Sequence, residues 1–452
     1  MSLRFGTDGV RGVANVDLTP ELVVSLARAA ARVLGRDRPF LVARDTRRSG
    51  PMLEAALVAG LTAEGADVEV AGVLPTPGAA YLSQARDCPA AMISASHNPF
   101  PDNGIKFFAR GGRKLPDPVE EHIEAELDAL TSRGGGGGGA GAGPSGSGVG
   151  TSRPAAAPLD AYVAHLVAAL EGRRLDDVRV VVDCGHGAAV EAAPEALSRL
   201  GAKVEVRHAA PDGTNINDRC GSTHPQALQR DVLALGAQAG LAFDGDADRL
   251  VAADERGGLV DGDHLLAIAA LDLRARGRLR HDTVVSTVMA NLGFRRAMAA
   301  HGVRVVETAV GDRYVLEAME AEGAVLGGEQ SGHLIFAELA TTGDGLLSGL
   351  VLLDAMVRSG RPLSELAAVV TKLPQVLRNV QVGDRAGLEE AAVFWAEVAA
   401  VEAELGDGGR VLVRPSGTEP VVRIMVEAGT AEAADAYADR LARRLQDVLG
   451  TG

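Results

Sequence analysis

Aromatic side chains are scarce in this chain. Phe, Trp and Tyr make up 3% of its 452 residues, so its cores must be filled mainly by Ala, Val and Leu, and base-stacking platforms for single-stranded nucleic acid are disfavoured. Cysteine is rarer still: Cys88, Cys184 and Cys220 form no CxxC pair, a count that suits a reducing interior rather than a disulfide framework. Apolar runs such as Leu350 to Leu353 fall far short of the about 20 residues needed to cross a bilayer. The opening Met1-Ser2-Leu3-Arg4-Phe5-Gly6 meets charge and glycine before a signal-peptide core could form. Positive charge is also in deficit, with 45 Lys and Arg against 60 Asp and Glu and a formal charge of -15, which argues against general polyanion binding. The expectation is a soluble cytoplasmic protein with no nucleic-acid or membrane partner. Such a chain can still hold a small phosphorylated substrate by concentrating its few basic groups in one cleft.

Hydrophobic residues are plentiful at 46%, and the length suggests about three or four domains. The first third alternates helix-like and strand-like pieces. Leu22 to Leu34 follows the cap and first-turn pair Thr19-Pro20, Phe40 to Ala43 reads as a buried strand ending at Arg44-Asp45, and Met52 to Ala63 reads as a helix. Val68 to Val70 and Ala90 to Ile93 read as strands, the latter delivering Ser94 to Pro99. The rhythm returns with strands at Arg179 to Asp183, Lys203 to His208 and Leu241 to Phe243, and again at Val284 to Val288, Val303 to Val306 and Ala324 to Leu326. The end differs: a helix from Leu388 to Leu405 with Trp395 as its anchor, strands at Arg410 to Val413 and Val421 to Val426, and a last helix from Ala431. The expected fold is therefore α/β, with three similar mixed α/β domains around a central cleft and a C-terminal α+β domain. The boundaries fall at 1–158, 159–253, 254–369 and 370–452. Arg133 to Pro158, with six consecutive glycines at Gly134 to Gly139, reads as a flexible surface loop or linker, because it cannot bury enough apolar surface to offset its ordering entropy.

Three carboxylates recur at two-residue spacing in Asp244-Gly245-Asp246-Ala247-Asp248-Arg249, directly after an apolar strand. A loop there can turn all three onto one hard cation, and oxygen ligands favour Mg²⁺ over soft metals. Arg249 beside them suits an anion such as phosphate. Ser94-Ala95-Ser96-His97-Asn98-Pro99 also leaves a strand, so that Ser96 could accept a phosphoryl group, and Asp102-Asn103-Gly104-Ile105-Lys106 supplies a turn and an ammonium. Taken singly, Ser96 would pass for an ordinary turn residue. A serine hydrolase would instead want a Gly-x-Ser-x-Gly elbow, and would have little use for the Asp triplet.

Gly328-Glu329-Gln330-Ser331-Gly332-His333 sets carboxylate, amide, hydroxyl and imidazole between glycines, a grip suited to sugar hydroxyls. Arg414-Pro415-Ser416-Gly417-Thr418-Glu419-Pro420, with Arg423 beyond, offers guanidinium, hydroxyls and loop N–H groups to a phosphate. Phe5 to Gly12 presents Arg11 from a glycine-flanked turn. Asp183-Cys184-Gly185-His186-Gly187 lacks a convincing second pair of metal ligands, and His208 and Cys220 read as structural or exposed.

In order and number these motifs resemble the phosphohexomutases along essentially the whole chain, most closely the bacterial phosphoglucosamine mutase branch. Gln330, where relatives acting on glucose or mannose phosphates commonly have Met, and Val310-Gly311-Asp312-Arg313-Tyr314-Val315 point to that branch. The resemblance implies that Ser96 is a phosphoserine, that Ser96, Asp244, Asp246 and Asp248 surround Mg²⁺, and that Arg11, Lys106 and Arg249 border the transferring phosphate. It further implies that Glu329, Ser331 and His333 bind sugar, with His333 also a proton-transfer partner, and that Arg414, Ser416, Gly417, Thr418 and Arg423 hold the other phosphate. The implied reaction interconverts glucosamine 6-phosphate and glucosamine 1-phosphate through a 1,6-bisphosphate, with glucosamine or glucose 1,6-bisphosphate as activator. A homodimer is left open. Two other readings stand beside it: the same chemistry on glucose or mannose phosphates, and a non-catalytic phosphosugar-binding protein. The chain departs from the family pattern at Ala247, where many relatives have Gly, and in the glycine tract after Arg133.

Overall fold

The computed structural model describes residues 5–6, 9–132, 143–383, 386–416 and 421–450. They form two compact units, one comprising Met1–Val288 with Val303–Ala368 and the other Met289–Gly302 with Val369–Gly452.

Three sheets build the first unit. In the first, the strands run in the order Val10–Val13, Asp102–Ala109, Ala90–Ile93, Phe40–Arg44, Val68–Val73 and Ser152–Pro154, with Arg113–Lys114 pairing onto Asp102–Ala109. The second runs Leu259–Val260, Leu250–Asp254, Ala239–Phe243, Arg179–Asp183, Lys203–Arg207, and the third Arg304–Thr308, Thr283–Thr287, Leu326–Gly328, Leu334–Phe336. All three share a plan that no residue-level repeat announces. A buried strand, paired in parallel with its neighbour, ends in a polar loop, and the chain returns as an antiparallel strand: Ala90–Ile93 into Asp102–Ala109, Ala239–Phe243 into Leu250–Asp254, and Leu326–Gly328 into Leu334–Phe336. The loops that carry Ser96, the Asp triplet and the Glu329–His333 segment therefore occupy equivalent positions at the carboxyl ends of parallel strands, where α/β sheets place their ligands.

The shortage of aromatics is met by close packing of small residues. The helix Pro20–Leu34, capped by Thr19 Oγ1 accepting the Leu22 N–H at 3.3 Å, buries Val23, Leu26, Ala27, Ala30 and Ala31. It meets the helix Gly50–Ala63 so closely that a Cβ on Gly60 would lie 2.4 Å from Val24 O.

Three expectations change. Asp102 to Lys106 is not a turn but the start of the strand Asp102–Ala109. Its Asn-Gly pair reads as a turn, but Gly104 is there because a Cβ would lie 2.7 Å from Ser94 O and 2.9 Å from Arg11 Cγ. Residues 133–142 of the glycine tract lie outside the described residues, whereas 143–158 do not form a loose linker. Gly143 and Gly150 press on the carbonyls of Ala63 and Ala66, and Ser152–Pro154 pairs in parallel with Val68–Val70. Glycine here serves close backbone approach, which composition alone does not distinguish from flexibility.

In the second unit, Gln375–Gln381, Val421–Glu427 and Arg410–Pro415 form an antiparallel sheet. The helices Ala392–Leu405 and Ala431–Leu449 share its core with Phe394, Val398, Ile424 and Leu441 among the buried residues. Phe394, fully buried, anchors the first helix; Trp395, expected in that role, is 37% exposed and donates its Nε1–H to Leu388 O at 2.8 Å. No helix among the described residues is long and apolar enough to cross a membrane.

Candidate active site

The three equivalent loops of the first unit converge. Ser96, buried and in the left-handed region at φ 49°, donates its Oγ–H to Asp244 Oδ2 at 2.5 Å. Asp246 Oδ2 accepts from Thr76 Oγ1 at 2.6 Å, and the Thr76 N–H donates to Asp246 O at 2.9 Å. The Asp244 turn is closed by N–H groups of its own loop: Ala247 donates to Asp244 O at 3.1 Å and Arg249 to Asp244 Oδ1 at 3.2 Å. Ala247 takes a left-handed φ of 59°, which explains why glycine suits this position and leaves a backbone cost of about 1–2 kcal/mol here. Gly245 admits no side chain, since a Cβ would sit 2.6 Å from Ser96 O.

Asp244, Asp246 and Asp248 are all buried, with ligand oxygens within 4.8 Å of one another. Burial first, then the Asp248 and Asp246 carboxylates, push Asp244 well above the usual carboxylate range. Asp248 goes the other way, because His333, Lys106 and Arg249 together outweigh its burial. Its Oδ1 is buried without a hydrogen-bond partner among the described residues. Three crowded buried carboxylates form an all-oxygen donor set suited to a hard metal ion.

Lys106 and Arg249 both act on Asp248 in this cluster. Arg11, in Val10–Val13, lies opposite Gly104, and Lys106 follows two residues along the same strand and hence on the same face. Arg249 Nε is 3.9 Å from Asp248 Oδ1. The Glu329 loop closes against the triplet, with Leu250 N–H donating to Gly332 O at 3.0 Å. His333 is buried, with Nδ1 3.5 Å from Asp248 Oδ2 and Nε2 3.5 Å from Asp312 Oδ2. Burial lowers the pKa of this ring, but Asp248, Asp312 and Glu329 raise it further. The Gly343 N–H also approaches Nε2, at 3.1 Å. Through Nδ1 the imidazole faces a carboxylate of the cluster. Glu329 Oε1 accepts the Gly311 N–H at 3.2 Å, tying the Val310–Arg313 segment to the same loop, and Ser331 Oγ is buried with no hydrogen bond among the described residues.

In the second unit, Arg414 stands directly opposite Arg423 in the antiparallel pair, and the Ser416 N–H donates to Val421 O at 2.8 Å. Like charges facing across a ladder cost stability, an arrangement suited to an anion. Gly417 and Thr418 lie outside the described residues.

Sequence reasoning missed Arg47, Asn217 and Thr76, which brace the loops. The available signal was the polar run Arg44-Asp45-Thr46-Arg47 at the end of a buried strand. The fold also gathers Asp183, His208 and Cys220, which spacing had left apart. Asp183 spends its oxygens on the N–H groups of Gly185 at 2.9 Å and Gly221 at 3.0 Å and on His208 Nδ1 at 3.0 Å. Burial beside Asp183 pushes the Cys220 thiol up to about 12. This is a satisfied structural carboxylate with a protonated thiol beside it.

Four family profiles match in chain order: phosphoglucomutase/phosphomannomutase alpha/beta/alpha domain I over residues 2–134, domain II over 160–258, domain III over 261–373, and the C-terminal domain over 377–444. The chain belongs to the phosphoglucomutase/phosphomannomutase family, the phosphohexomutases. Within it, the chain is 56% identical to the phosphoglucosamine mutase of Salinispora tropica, covering 99% of each. It is 55% identical to that of Acidothermus cellulolyticus, covering 99% of this chain and 96% of the relative. Among solved structures, a phosphoglucomutase/phosphomannomutase family protein from Burkholderia thailandensis shares the fold at a TM-score of 0.81 and 24% identity, over 98% of this chain and 97% of its own. Aspergillus fumigatus N-acetylphosphoglucosamine mutase, solved with GlcNAc-6P and magnesium, does so at 0.68 and 18%, over 100% of this chain and 96% of its own.

Proposed function

We infer that this chain interconverts glucosamine 6-phosphate and glucosamine 1-phosphate, with Ser96 as the phosphoryl carrier. The observation that carries this reading is the Ser96 Oγ–H donating to Asp244 Oδ2 at 2.5 Å inside the Asp triplet. The near relatives named phosphoglucosamine mutase support the amino-sugar substrate.

Asp244, Asp246 and Asp248 would hold Mg²⁺ together with the Ser96 phosphate. Bound there, Mg²⁺ supplies charge stabilisation to the phosphoryl oxygens. In the first transfer the bond from phosphorus to Ser96 Oγ breaks and one to the sugar O1 forms. The proton of the C1 hydroxyl ends on Ser96 Oγ, giving glucosamine 1,6-bisphosphate. The bisphosphate turns over, its C6 phosphoryl group passes to Ser96, and glucosamine 1-phosphate leaves. A 1,6-bisphosphate of glucosamine or glucose supplied from outside charges Ser96 by the same second step. Arg11, Lys106 and Arg249 neutralise the moving group, while Glu329, Ser331 and His333 orient the sugar, with His333 also a proton-transfer partner. Arg414, Ser416, Gly417, Thr418 and Arg423 hold the phosphate that is not in transfer. We assign boundaries at 1–158, 159–253, 254–369 and 370–452 to the four domains, and place the activity in the cytoplasm, where three buried free cysteines suit the reducing conditions.

Comparing kcat/KM for glucosamine, glucose and mannose phosphates tests the substrate. The expected preference is for glucosamine 6-phosphate, by about 10-fold or more if a buried polar contact reads the amino group; equal values, or a preference for glucose or mannose phosphate, would overturn it.

A further inference from the structure

The loop bearing Ser96 is gripped from two sides by groups outside all the motifs. Arg47 is 0% exposed. Its Nη2 donates to Ser96 O at 2.8 Å and Asn98 O at 2.8 Å, its Nη1 to Pro99 O at 2.6 Å and Asp102 O at 3.1 Å, and its Nε to Asp45 Oδ2 at 2.9 Å. One guanidinium thus collects three carbonyls from the reactive loop and a fourth from the first residue of the strand that follows it. From the other side, Asn217, which follows the second sheet's strand Lys203–Arg207, donates its Nδ2–H groups to Ser96 O at 2.9 Å and Asn98 O at 3.2 Å. The Ser96 amide is tied as well: it donates to Ser94 Oγ at 2.9 Å, and Ser94 Oγ donates to Asp45 Oδ2 at 2.7 Å.

These contacts fall around a strained residue. Left-handed backbone is unfavourable for a non-glycine residue, and Ser96 adopts it at φ 49°. A relaxed φ would turn its amide or its carbonyl away from these partners. Burying a guanidinium is itself costly unless its donors are satisfied. A lysine in its place carries a single ammonium and cannot reproduce the planar fork that reaches four carbonyls. Complete burial keeps Arg47 from contacting a phosphosugar, so any effect on the reaction must pass through the loop.

We propose that Arg47 and Asn217 are positioning residues for phosphoryl transfer: gripping the Ser96 carbonyl from two sheets, they hold the left-handed backbone that aims Ser96 Oγ at Asp244. The proposal rests on the phosphoserine reading above. It explains why this loop keeps its shape although its serine must be attacked and re-phosphorylated in every cycle. A displacement of about 1 Å at a reacting atom costs about 100-fold in rate, while binding of the sugar and of the metal is left alone.

The test uses full-length Arg47→Lys and Asn217→Ala, charged with glucose 1,6-bisphosphate. Intact mass counts the phosphorylated Ser96, and discharge by glucosamine 6-phosphate is then followed per phosphoserine. Misfolded molecules reduce the number of charged sites but not the rate per charged site, which separates positioning from mere stability. The expected result is discharge slowed about 100-fold by Arg47→Lys and about 10-fold by Asn217→Ala, the loss of one hydrogen-bonding side chain, with KM and Mg²⁺ affinity unchanged. Discharge per site at the parent rate in both variants overturns the proposal. If Arg47→Lys yields no folded protein, Asn217→Ala decides alone, and a parent-like rate then overturns it. A parent protein that neither charges nor discharges refutes the phosphoserine reading itself, and the proposal with it.

Discussion

Ser96 Oγ and Asp244 Oδ2 lie 2.5 Å apart although 148 residues separate them in the chain. Each sits in the loop after a parallel strand of its own sheet, so the fold superimposes two instances of one strand-loop-strand plan to make one site. The third instance adds His333 against Asp248.

Loss of a carboxylate should act first on the metal. Asp246→Asn is expected to weaken Mg²⁺ binding, and His333→Gln, by releasing Asp248 from its orienting partner, to weaken it about 10-fold. Calorimetric Mg²⁺ titration checks both; unchanged affinity in Asp246→Asn would mean that the triplet is structural.

Arg423→Ala should behave oppositely. Removing a charge-assisted contact worth about 1.5–3 kcal/mol raises KM for the phosphosugar about 10- to 100-fold while Mg²⁺ affinity stays put. Steady-state kinetics with an unshifted KM would contradict a phosphate role for the Arg414 and Arg423 pair.

Two neighbouring substitutions in the metal loop should part company. Gly245→Ala forces a Cβ to within 2.6 Å of Ser96 O and is expected to cost about 1–3 kcal/mol of stability together with most turnover. Ala247→Gly relaxes a left-handed φ of 59° but gives the unfolded chain more freedom to lose, so turnover and Tm should stay close to the parent. Melting curves and kinetics on the two variants would show whether the loop backbone is as tightly packed as described.

His208 should make stability depend on pH. The Asp183 carboxylate, with Oδ2 3.0 Å from His208 Nδ1, raises the imidazole pKa above the ordinary value despite partial burial, whereas in the unfolded chain it titrates at about 6.5. A raised folded pKa contributes stability that is complete below the unfolded value and is lost as pH climbs through the folded one. His208→Gln should therefore lower Tm more at about pH 5.5 than at about pH 8.5, and an equal change at both would remove Asp183 as the cause.

Much of this was legible in the sequence because its signals are local. The run Ala90 to Ile93 announces a buried strand, and the Asp triplet announces its chemistry by spacing alone. The convergence of the loops was not legible, because it depends on pairings between distant segments. Arg47 looks like one more charged residue until the fold places four carbonyls around it. Asp102 to Lys106 read as a turn because Asn-Gly is a strong turn signal, whereas the crowding that requires Gly104 comes from Arg11 and Ser94. Asp183, His208 and Cys220 meet only through the parallel pairing of Arg179–Asp183 with Lys203–Arg207 and the close approach of Gly185 to Gly221.

The fate of one phosphoryl group tests the central claim most directly. The purified parent protein is charged with glucose 1,6-bisphosphate and Mg²⁺, examined by intact mass and peptide mapping, and then mixed with glucosamine 6-phosphate. The account predicts one phosphoryl group on Ser96, discharged into sugar bisphosphate without stoichiometric release of inorganic phosphate, and no such group on Ser96→Ala. A phosphoryl group on another residue, or a Ser96 phosphate that leaves only as inorganic phosphate, would contradict it.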